Sequence, residues 1–140
     1  MPQASAVRSP TVARESVASP FASSWEIGWG AAWVQVEGEL DLATSPQFRR
    51  TVGEAQRAAE VVVLDLRELW FIDSSGVHVI LDAARDSRRN GRQLLIVRGP
   101  VQVDRVLTLT EVSEQVVIFD LAAAEPAPAL FHLFPPGVAA

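Results

Sequence analysis

The chain has 140 residues, about the size of one domain, and 49% of them are hydrophobic, which excludes wholesale disorder. It contains no cysteine, which excludes a disulfide scaffold, thiolate metal ligands and a cysteine nucleophile. The formal net charge of −5 argues against a nucleic-acid partner, because such proteins normally present a clustered basic face.

Residues 1–23 are rich in Ser, Ala and Pro without a sustained period, which predicts a flexible N-terminal tail. The chain shows no apolar run of about 18–20 residues and no signal peptide, so we expect a cytoplasmic protein without membrane insertion. A single domain is predicted over residues 24–121.

The domain begins with two short apolar segments, residues 25–29 and 32–37, that predict an antiparallel strand pair. Ser45 and Pro46 then mark a helix start, since serine can cap a helix and proline suits its first position. The core face of this helix is predicted to comprise Phe48, Val52, Ala55 and Ala59.

Residues 61–66, VVVLDL, predict a buried central strand, with Asp65 interpreted as a strand-end or turn residue. A second helix is predicted over residues 75–89, and Asn90-Gly91 is typical of its left-handed end. The predicted core face of this helix is Val77, Ile80, Leu81 and Ala84.

A further buried strand at residues 94–97 is followed by a helix after Gly99-Pro100 and a last strand at residues 116–119. Such alternation predicts an α/β fold whose sheet is mostly parallel, connected by crossover helices, and mixed because of the antiparallel N-terminal pair. The Ala/Pro-rich tail, residues 122–140, is interpreted as a short docked helix in preference to a partner-docking segment. Its apolar patch comprises Leu130, Phe131, Leu133 and Phe134.

The segment between the central strand and the second helix, FIDSSG at residues 71–76, carries the candidate chemistry. One interpretation is a turn in which Asp73, Ser74 or Ser75 caps the helix. The other is that one serine accepts a phosphoryl group, because a helix N-terminus tolerates added negative charge.

The same segment resembles the phosphorylation motif of bacterial anti-sigma factor antagonists, which are built on the STAS domain. The resemblance extends to the G-E-L-D turn at residues 38–41, the N-G turn at residues 90–91 and the third helix from Gly99. It covers residues 25–120 in order and with ordinary spacing. Leu109-Thr110-Glu111-Val112 departs from the Leu-Thr-Gly-Leu of the family.

The resemblance implies a binding protein rather than an enzyme, with no cofactor of its own. The unmodified antagonist would bind an anti-sigma factor that is also a serine/threonine kinase, and so free a sigma factor. The kinase would phosphorylate Ser74 and be released, and a metal-dependent serine phosphatase would restore the antagonist.

The resemblance also implies roles for the neighbours of Ser74. Asp73 would hold the turn, Ser75 would cap the helix, and Gly76 would let a partner backbone approach closely. His78, at a position often small in the family, and Trp70, directly before the motif, are departures from the family that would reshape the partner face. Asp41 is a second contact candidate, and its interpretation as a cap or turn ligand remains open.

Two other hypotheses belong to different classes. STAS domains also serve as non-switching scaffold or regulatory modules in stress-signalling or transport assemblies, and such a role needs no kinase. A hydrolase built on Ser74 or Ser75, His78 and Asp73 is disfavoured, because these residues are local in sequence and no G-x-S-x-G elbow exists. His78 and His132 are too few for a metal site, which needs three or four converging ligands.

Overall fold

The computed structural model describes residues 21–28 and 30–122, which form a five-stranded sheet in the order β1-β2-β3-β4-β5. β1 is antiparallel to β2, whereas the other three neighbouring pairs are parallel, which confirms the predicted mixed α/β fold. The strands are β1 Phe21–Gly28, β2 Ala31–Leu40, β3 Val61–Ile72, β4 Gln93–Val97 and β5 Val117–Phe119. The helices are α1 Ser45–Ala58, α2 Ser74–Arg89, α3 Val101–Leu109 and α4 Val112–Gln115.

The helices pack on one face of the sheet, here called the helical face. Its centre is formed by Val34, Leu64 and Ile96 from three adjacent strands, all fully buried. Apolar side chains recur at helical spacing on α1 and α2, and they meet this face as the sequence predicts. The helix residues confirmed as buried are Phe48, Val52, Ala55, Val77, Ile80, Leu81 and Ala84.

The opposite side of the sheet, here called the second face, is also apolar. Side chains alternate between the two sides of a strand, so an uninterrupted apolar run such as VVVL supplies both. The buried cluster of the second face consists of Ala31, Trp33, Val61, Val63, Leu95 and Val97. Phe119 and Leu121 pack against this cluster.

The predicted boundary of the N-terminal tail is wrong by three residues. β1 begins at Phe21, whose side chain is buried in the core of the helical face. Ser23 is buried too, and its hydroxyl shares a 2.7 Å hydrogen bond with that of Thr51 on α1. Residues 1–20 and 123–140 lie outside the described residues, as does the docked helix predicted near the C-terminus.

The central strand is longer than predicted, because β3 continues past Leu66 to Ile72. The pairing of β3 with β2 shifts register twice, and at each shift β3 has one residue more than β2. Such an extra residue on one strand is a β-bulge. Asp65 is therefore not a strand-end residue but a buried residue in mid-strand. Its carboxylate accepts hydrogen bonds from Arg67 Nε at 3.0 Å and Nη2 at 2.8 Å.

α2 ends as its sequence predicts. Gly91 adopts a φ of 67°, the left-handed conformation that glycine tolerates best. The Arg92 N–H donates to the Ser87 carbonyl at 2.7 Å, and the Gly91 N–H donates to the Arg88 carbonyl. This pair of bonds is a Schellman motif, and it returns the chain directly into β4. Among the described residues, no helix is long and apolar enough to cross a membrane.

Candidate functional site

The β3–α2 junction lies at the edge of the sheet where the parallel strands β2 and β3 both end. Leu40 of β2 pairs with Ile72 of β3, so the two strands finish side by side. The next residue, Asp73, donates its backbone N–H to the Leu40 carbonyl at 3.1 Å. This bond fixes the start of α2 to the end of the neighbouring strand.

Asp73 is the N-cap of α2. Its backbone is extended, and its Oδ1 accepts from the Ser75 N–H at 2.8 Å and more weakly from the Gly76 N–H at 3.4 Å. These N–H groups have no carbonyl partner within the helix, and an aspartate cap also complements the positive end of the helix dipole. The predicted role of Asp73 in holding the turn has this physical basis.

Ser74 is the first residue of α2 and its side chain is exposed. Within the described part of the chain, the Ser74 hydroxyl makes no hydrogen bond, so its oxygen is free to react. Ser75 is half-buried and does not cap the helix, because Asp73 already occupies that position. The cap role predicted for Ser75 is therefore wrong.

Gly76 faces the protein interior rather than a partner. A Cβ atom at this position would lie 2.6 Å from Leu40 Cγ and 2.9 Å from Ile72 Cγ1, closer than real contacts allow. The close approach that Gly76 permits is thus between α2 and the ends of β2 and β3. The predicted approach of a partner backbone to Gly76 is wrong, since the residue is buried.

Asp41 lies at the end of β2 and is half-buried. Its Oδ1 accepts from the Thr44 N–H at 3.1 Å and from the Thr44 hydroxyl at 3.2 Å. Asp41 therefore serves as a turn ligand at the start of α1, which was one of its two interpretations. Its part-exposed side chain remains a candidate contact at the same edge of the sheet as Ser74.

His78 is exposed on α2, four residues after Ser74. Residues four apart on a helix are neighbours on its surface, so Ser74 and His78 share one side of α2. The junction therefore presents a hydroxyl and an imidazole on one side of α2, with the Asp73 cap at the helix start and Asp41 directly after β2.

Apolar side chains are exposed around this edge, and they are the part of the site that the sequence prediction mostly missed. Trp70 is 50% exposed, and it occupies one of the β3 bulges. Its carbonyl accepts from Gln102 Nε2 at 3.1 Å, which places the start of α3 beside it. Leu42, Phe71 and Val101 are exposed as well. For Leu42 and Val101 the only sequence signal is an apolar residue shortly after a strand or at a helix start.

Within the described residues, no group of three or more His, Asp or Glu side chains converges to hold a metal ion. The carboxylates of Asp41 and Asp73 are each engaged in hydrogen bonds to a helix start. What the junction offers chemically is the accessible Ser74 hydroxyl on a turn held by the Asp73 cap, with the exposed His78 imidazole one helical turn away.

The fold and the junction together describe a small α/β binding domain that exposes a serine between a strand and a helix. The sequence model of the STAS domain matches residues 29–124, and the chain belongs to this family. An anti-sigma F factor antagonist from Paenibacillus polymyxa is 33% identical over 93 residues, which cover 65% of this chain and 80% of that protein. The resemblance to this family is thus confirmed.

Solved structures show the same fold at lower identity. An anti-sigma factor antagonist from Mycobacterium paratuberculosis superimposes with a TM-score of 0.69 at 19% identity, covering 81% of this chain and 94% of that one. The Bacillus antagonist SpoIIAA in its unphosphorylated form gives 0.65 at 19% identity, covering 80% and 96%. Its phosphorylated form gives 0.61. A sulfate transporter family protein from Wolinella succinogenes gives 0.58 at 15% identity, covering 67% and 80%.

Proposed function

We propose that this chain is an anti-sigma factor antagonist whose binding to an anti-sigma factor serine kinase frees a sigma factor. Phosphorylation of Ser74 then ends the binding. The observation that carries the proposal is the state of Ser74: it is exposed, its hydroxyl is unbonded within the described residues, and the preceding Asp73 caps the helix that Ser74 opens. The curated relative, an anti-sigma F factor antagonist, supports the same function.

The chemistry required of this chain is small. In the kinase complex, the Ser74 Oγ attacks the γ-phosphorus of ATP, the bond to the ADP oxygen breaks, and the hydroxyl proton passes to a base of the kinase. ATP and its metal ion belong to the kinase, so the antagonist is a substrate and not a catalyst. Its contribution is to present Ser74 on a turn that needs no rearrangement.

The phosphate adds about −1.5 to −2 charges beside the Asp73 carboxylate. The Ser75 and Gly76 N–H groups already donate to Asp73, so the phosphate does not neutralise itself on them without displacing the cap. The new charge therefore stays on the surface, where it meets the bound kinase. Like charges brought together in an interface can cost several kcal/mol, enough to lower affinity by orders of magnitude.

The fold itself is expected to survive this modification, because the phosphate projects from an exposed position. SpoIIAA has been solved in unphosphorylated and phosphorylated forms, and both share the fold of this chain. A metal-dependent serine phosphatase would remove the phosphate and restore binding. The contact surface would comprise Ser74, His78 and Asp41, with the exposed Leu42 and Trp70 as apolar contacts. A cytoplasmic location belongs to the same proposal.

The test is incubation with the cognate kinase and ATP, followed by mapping of the phosphate by mass spectrometry. We expect a single phosphate on Ser74. The Ser74→Ala variant should incorporate none and remain bound to the kinase, whereas the matched Ser75→Ala variant should be phosphorylated normally. Phosphate on Ser75, or on neither serine, would contradict the proposal.

The switch is tested separately by titrating the kinase with the parent chain, its phosphorylated form and the Ser74→Asp variant. We expect phosphorylation to weaken binding by about 100-fold or more, which corresponds to roughly 3 kcal/mol. Equal affinity for the three forms would leave an antagonist without a switch.

A non-switching STAS module is the second candidate function, and the fold shared with the Wolinella succinogenes transporter family protein supports it. Under this alternative, Ser74→Ala changes neither partner binding nor signalling in cells. A pull-down with the Ser74→Ala variant separates the two candidates, because only the antagonist retains a kinase-fold anti-sigma factor.

A further inference from the structure

We propose that the second face of the sheet is an intramolecular docking surface for the C-terminal segment of this chain, centred on Phe131 and Phe134. Trp33 is 2% exposed and Val97 is 0% exposed on this face. Side chains on an uncovered sheet face remain in contact with water, so these values require a layer above them.

The described helices do not supply that layer. Every buried apolar side chain that α1, α2, α3 and α4 contribute belongs to the core of the helical face. The described residues that do pack on the second face from outside β2, β3 and β4 are Phe119 and Leu121. Both lie at the far edge of the sheet, where the described part of the chain ends.

The course of the chain there points to the C-terminal segment as the occupant. After β5, the Ala122 carbonyl accepts a 2.6 Å hydrogen bond from Arg67 Nη1. Arg67 is in turn paired with Asp65 in the middle of β3. The chain has therefore already turned back toward the centre of the sheet at the point from which residues 123–140 continue.

The sequence of this segment suits the surface. It carries Leu130, Phe131, Leu133 and Phe134, large apolar side chains that would fill the space above Trp33 and Val63. Residues 123–129 can span up to roughly 23 Å, more than the approximately 14 Å across four strands. Residues 1–20, by contrast, contain no Leu, Ile, Phe or Trp.

The segment also lies outside the shared family region, since the STAS match ends at residue 124. The proposed cover of the second face therefore consists of residues beyond the matched family region. It leaves the edge that carries Ser74 as the surface offered to partners, although the inference does not depend on the proposed function.

The absence of cysteine from the chain allows a direct test, because one introduced thiol reports on one position. Val97→Cys probes the second face, and the adjacent Ile96→Cys, equally buried but on the helical face, is its matched control. Labelling by a thiol reagent is measured for each in the full chain and together with Phe131→Ser and Phe134→Ser.

We expect loss of the two phenylalanines to raise the labelling rate at Val97→Cys by about tenfold or more, because local protection follows burial. The rate at Ile96→Cys should not change. Unchanged labelling at Val97→Cys would overturn the proposal and leave residues 1–20 as the cover. Protection that depends on protein concentration would overturn it in favour of a second copy.

Should both positions label faster, the variant has lost its fold, and a second measurement decides, in a chain that keeps Phe134 and an aromatic side chain at residue 131. A photoreactive benzophenone amino acid is placed at residue 131, with residue 138 as the control position. Cross-links within one molecule to β3 or β4, at residues 61–67 or 93–98, support the proposal. Cross-links confined to the helices or to another molecule contradict it.

Discussion

Two strand–helix junctions of this domain have similar sequences, but their first helical serines have different exposure and hydrogen bonding. At β2–α1, Asp41 follows the strand and Ser45 opens the helix; at β3–α2, Asp73 follows the strand and Ser74 opens the helix. Ser45 is only 8% exposed, and its hydroxyl donates to the Asp41 carbonyl at 2.7 Å. Ser74 is exposed and its hydroxyl is unbonded within the described residues.

The difference shows that the hydroxyl of a serine at a helix start stays unbonded when another group satisfies the free N–H groups of the helix. At α2, the Asp73 carboxylate takes the free N–H groups, and Ser74 is not needed for structure. At α1, the hydroxyls of both Thr44 and Ser45 are used to build the turn.

The largest difference is expected when each serine is replaced by aspartate. Ser45→Asp places a charge at a buried position beside the Asp41 carbonyl and should lower the free energy of unfolding by about 3 kcal/mol or more. Ser74→Asp should change it by less than about 0.5 kcal/mol, because the position is exposed. Urea denaturation of both variants measures the difference, and similar losses would contradict the contrast between the junctions.

Glycine-to-alanine substitutions compare the two helices next. Gly76→Ala drives a methyl group against Leu40 and Ile72 and should cost about 1–3 kcal/mol of unfolding free energy. Gly53→Ala in α1 is the matched control, since the nearest atom to its Cβ is Arg57 Nη1 at 3.6 Å. It should stabilise the domain by up to about 1 kcal/mol through helix propensity. A destabilised Gly53→Ala variant would show that α1 resists alanine for another reason.

The cap of α2 is tested by Asp73→Ala, which should lower the unfolding free energy by about 1 kcal/mol. Asp73→Asn should retain most of the stability, because asparagine caps equally well. Ser75→Ala should be neutral to within about 0.5 kcal/mol, since the Ser75 side chain is not the cap. Thermal melts at one pH suffice, and a loss at Ser75 equal to that at Asp73 would restore the sequence-based assignment.

The smallest effect concerns pH. The Arg49 side chain of α1, hydrogen-bonded at 3.0 Å, and the Arg85 side chain hold the pKa of Asp82 on α2 below its ordinary value of 3.8. A carboxyl with a lowered folded-state pKa stabilises the protein above its unfolded pKa, and this stability is lost as pH falls through the folded pKa. The contribution is small because the groups are exposed. The free energy of unfolding of Asp82→Asn and of the parent chain is measured from about pH 6 to about pH 2.5, a range that spans the usual carboxyl pKa values. As the pH falls, the free energy of unfolding should decrease less in the variant than in the parent chain.

The sequence predicts the elements that one physical signal determines. The continuous apolar run of β3, the apolar period of α2 and the Asn90-Gly91 end of α2 all lie where the pattern places them. The outer part of β3 escaped prediction, because Arg67 and Glu68 interrupt the run and the bulges remove a clean alternation. Similarly, a start at Phe21 depends on pairing with Gly38, a contact that local sequence does not encode.

The sequence predicts the position of the candidate serine, but it does not predict which residue caps the helix or which way the neighbouring residues face. The spacing of D-S-S-G allows Asp73, Ser74 or Ser75 to cap, and only the extended backbone at Asp73 selects the cap. The direction in which Gly76 faces depends on how α2 is rotated against Leu40, which is a tertiary property. The exposure of Leu42 and Val101 likewise follows from where neighbouring elements end.

The unequal lengths of the parallel strands set the position of Ser74 relative to the sheet. Within the described residues, β4 accompanies β3 only over residues 61–65, whereas β3 continues to Ile72. The last seven residues of β3 thus extend about 20 Å beyond the part paired with β4. They pair with β2 on one side, and on the other side the Trp70 carbonyl accepts a hydrogen bond from Gln102. Ser74 follows directly after this projecting part of β3, and its exposed side chain therefore lies beyond the part of the sheet that β4 reaches.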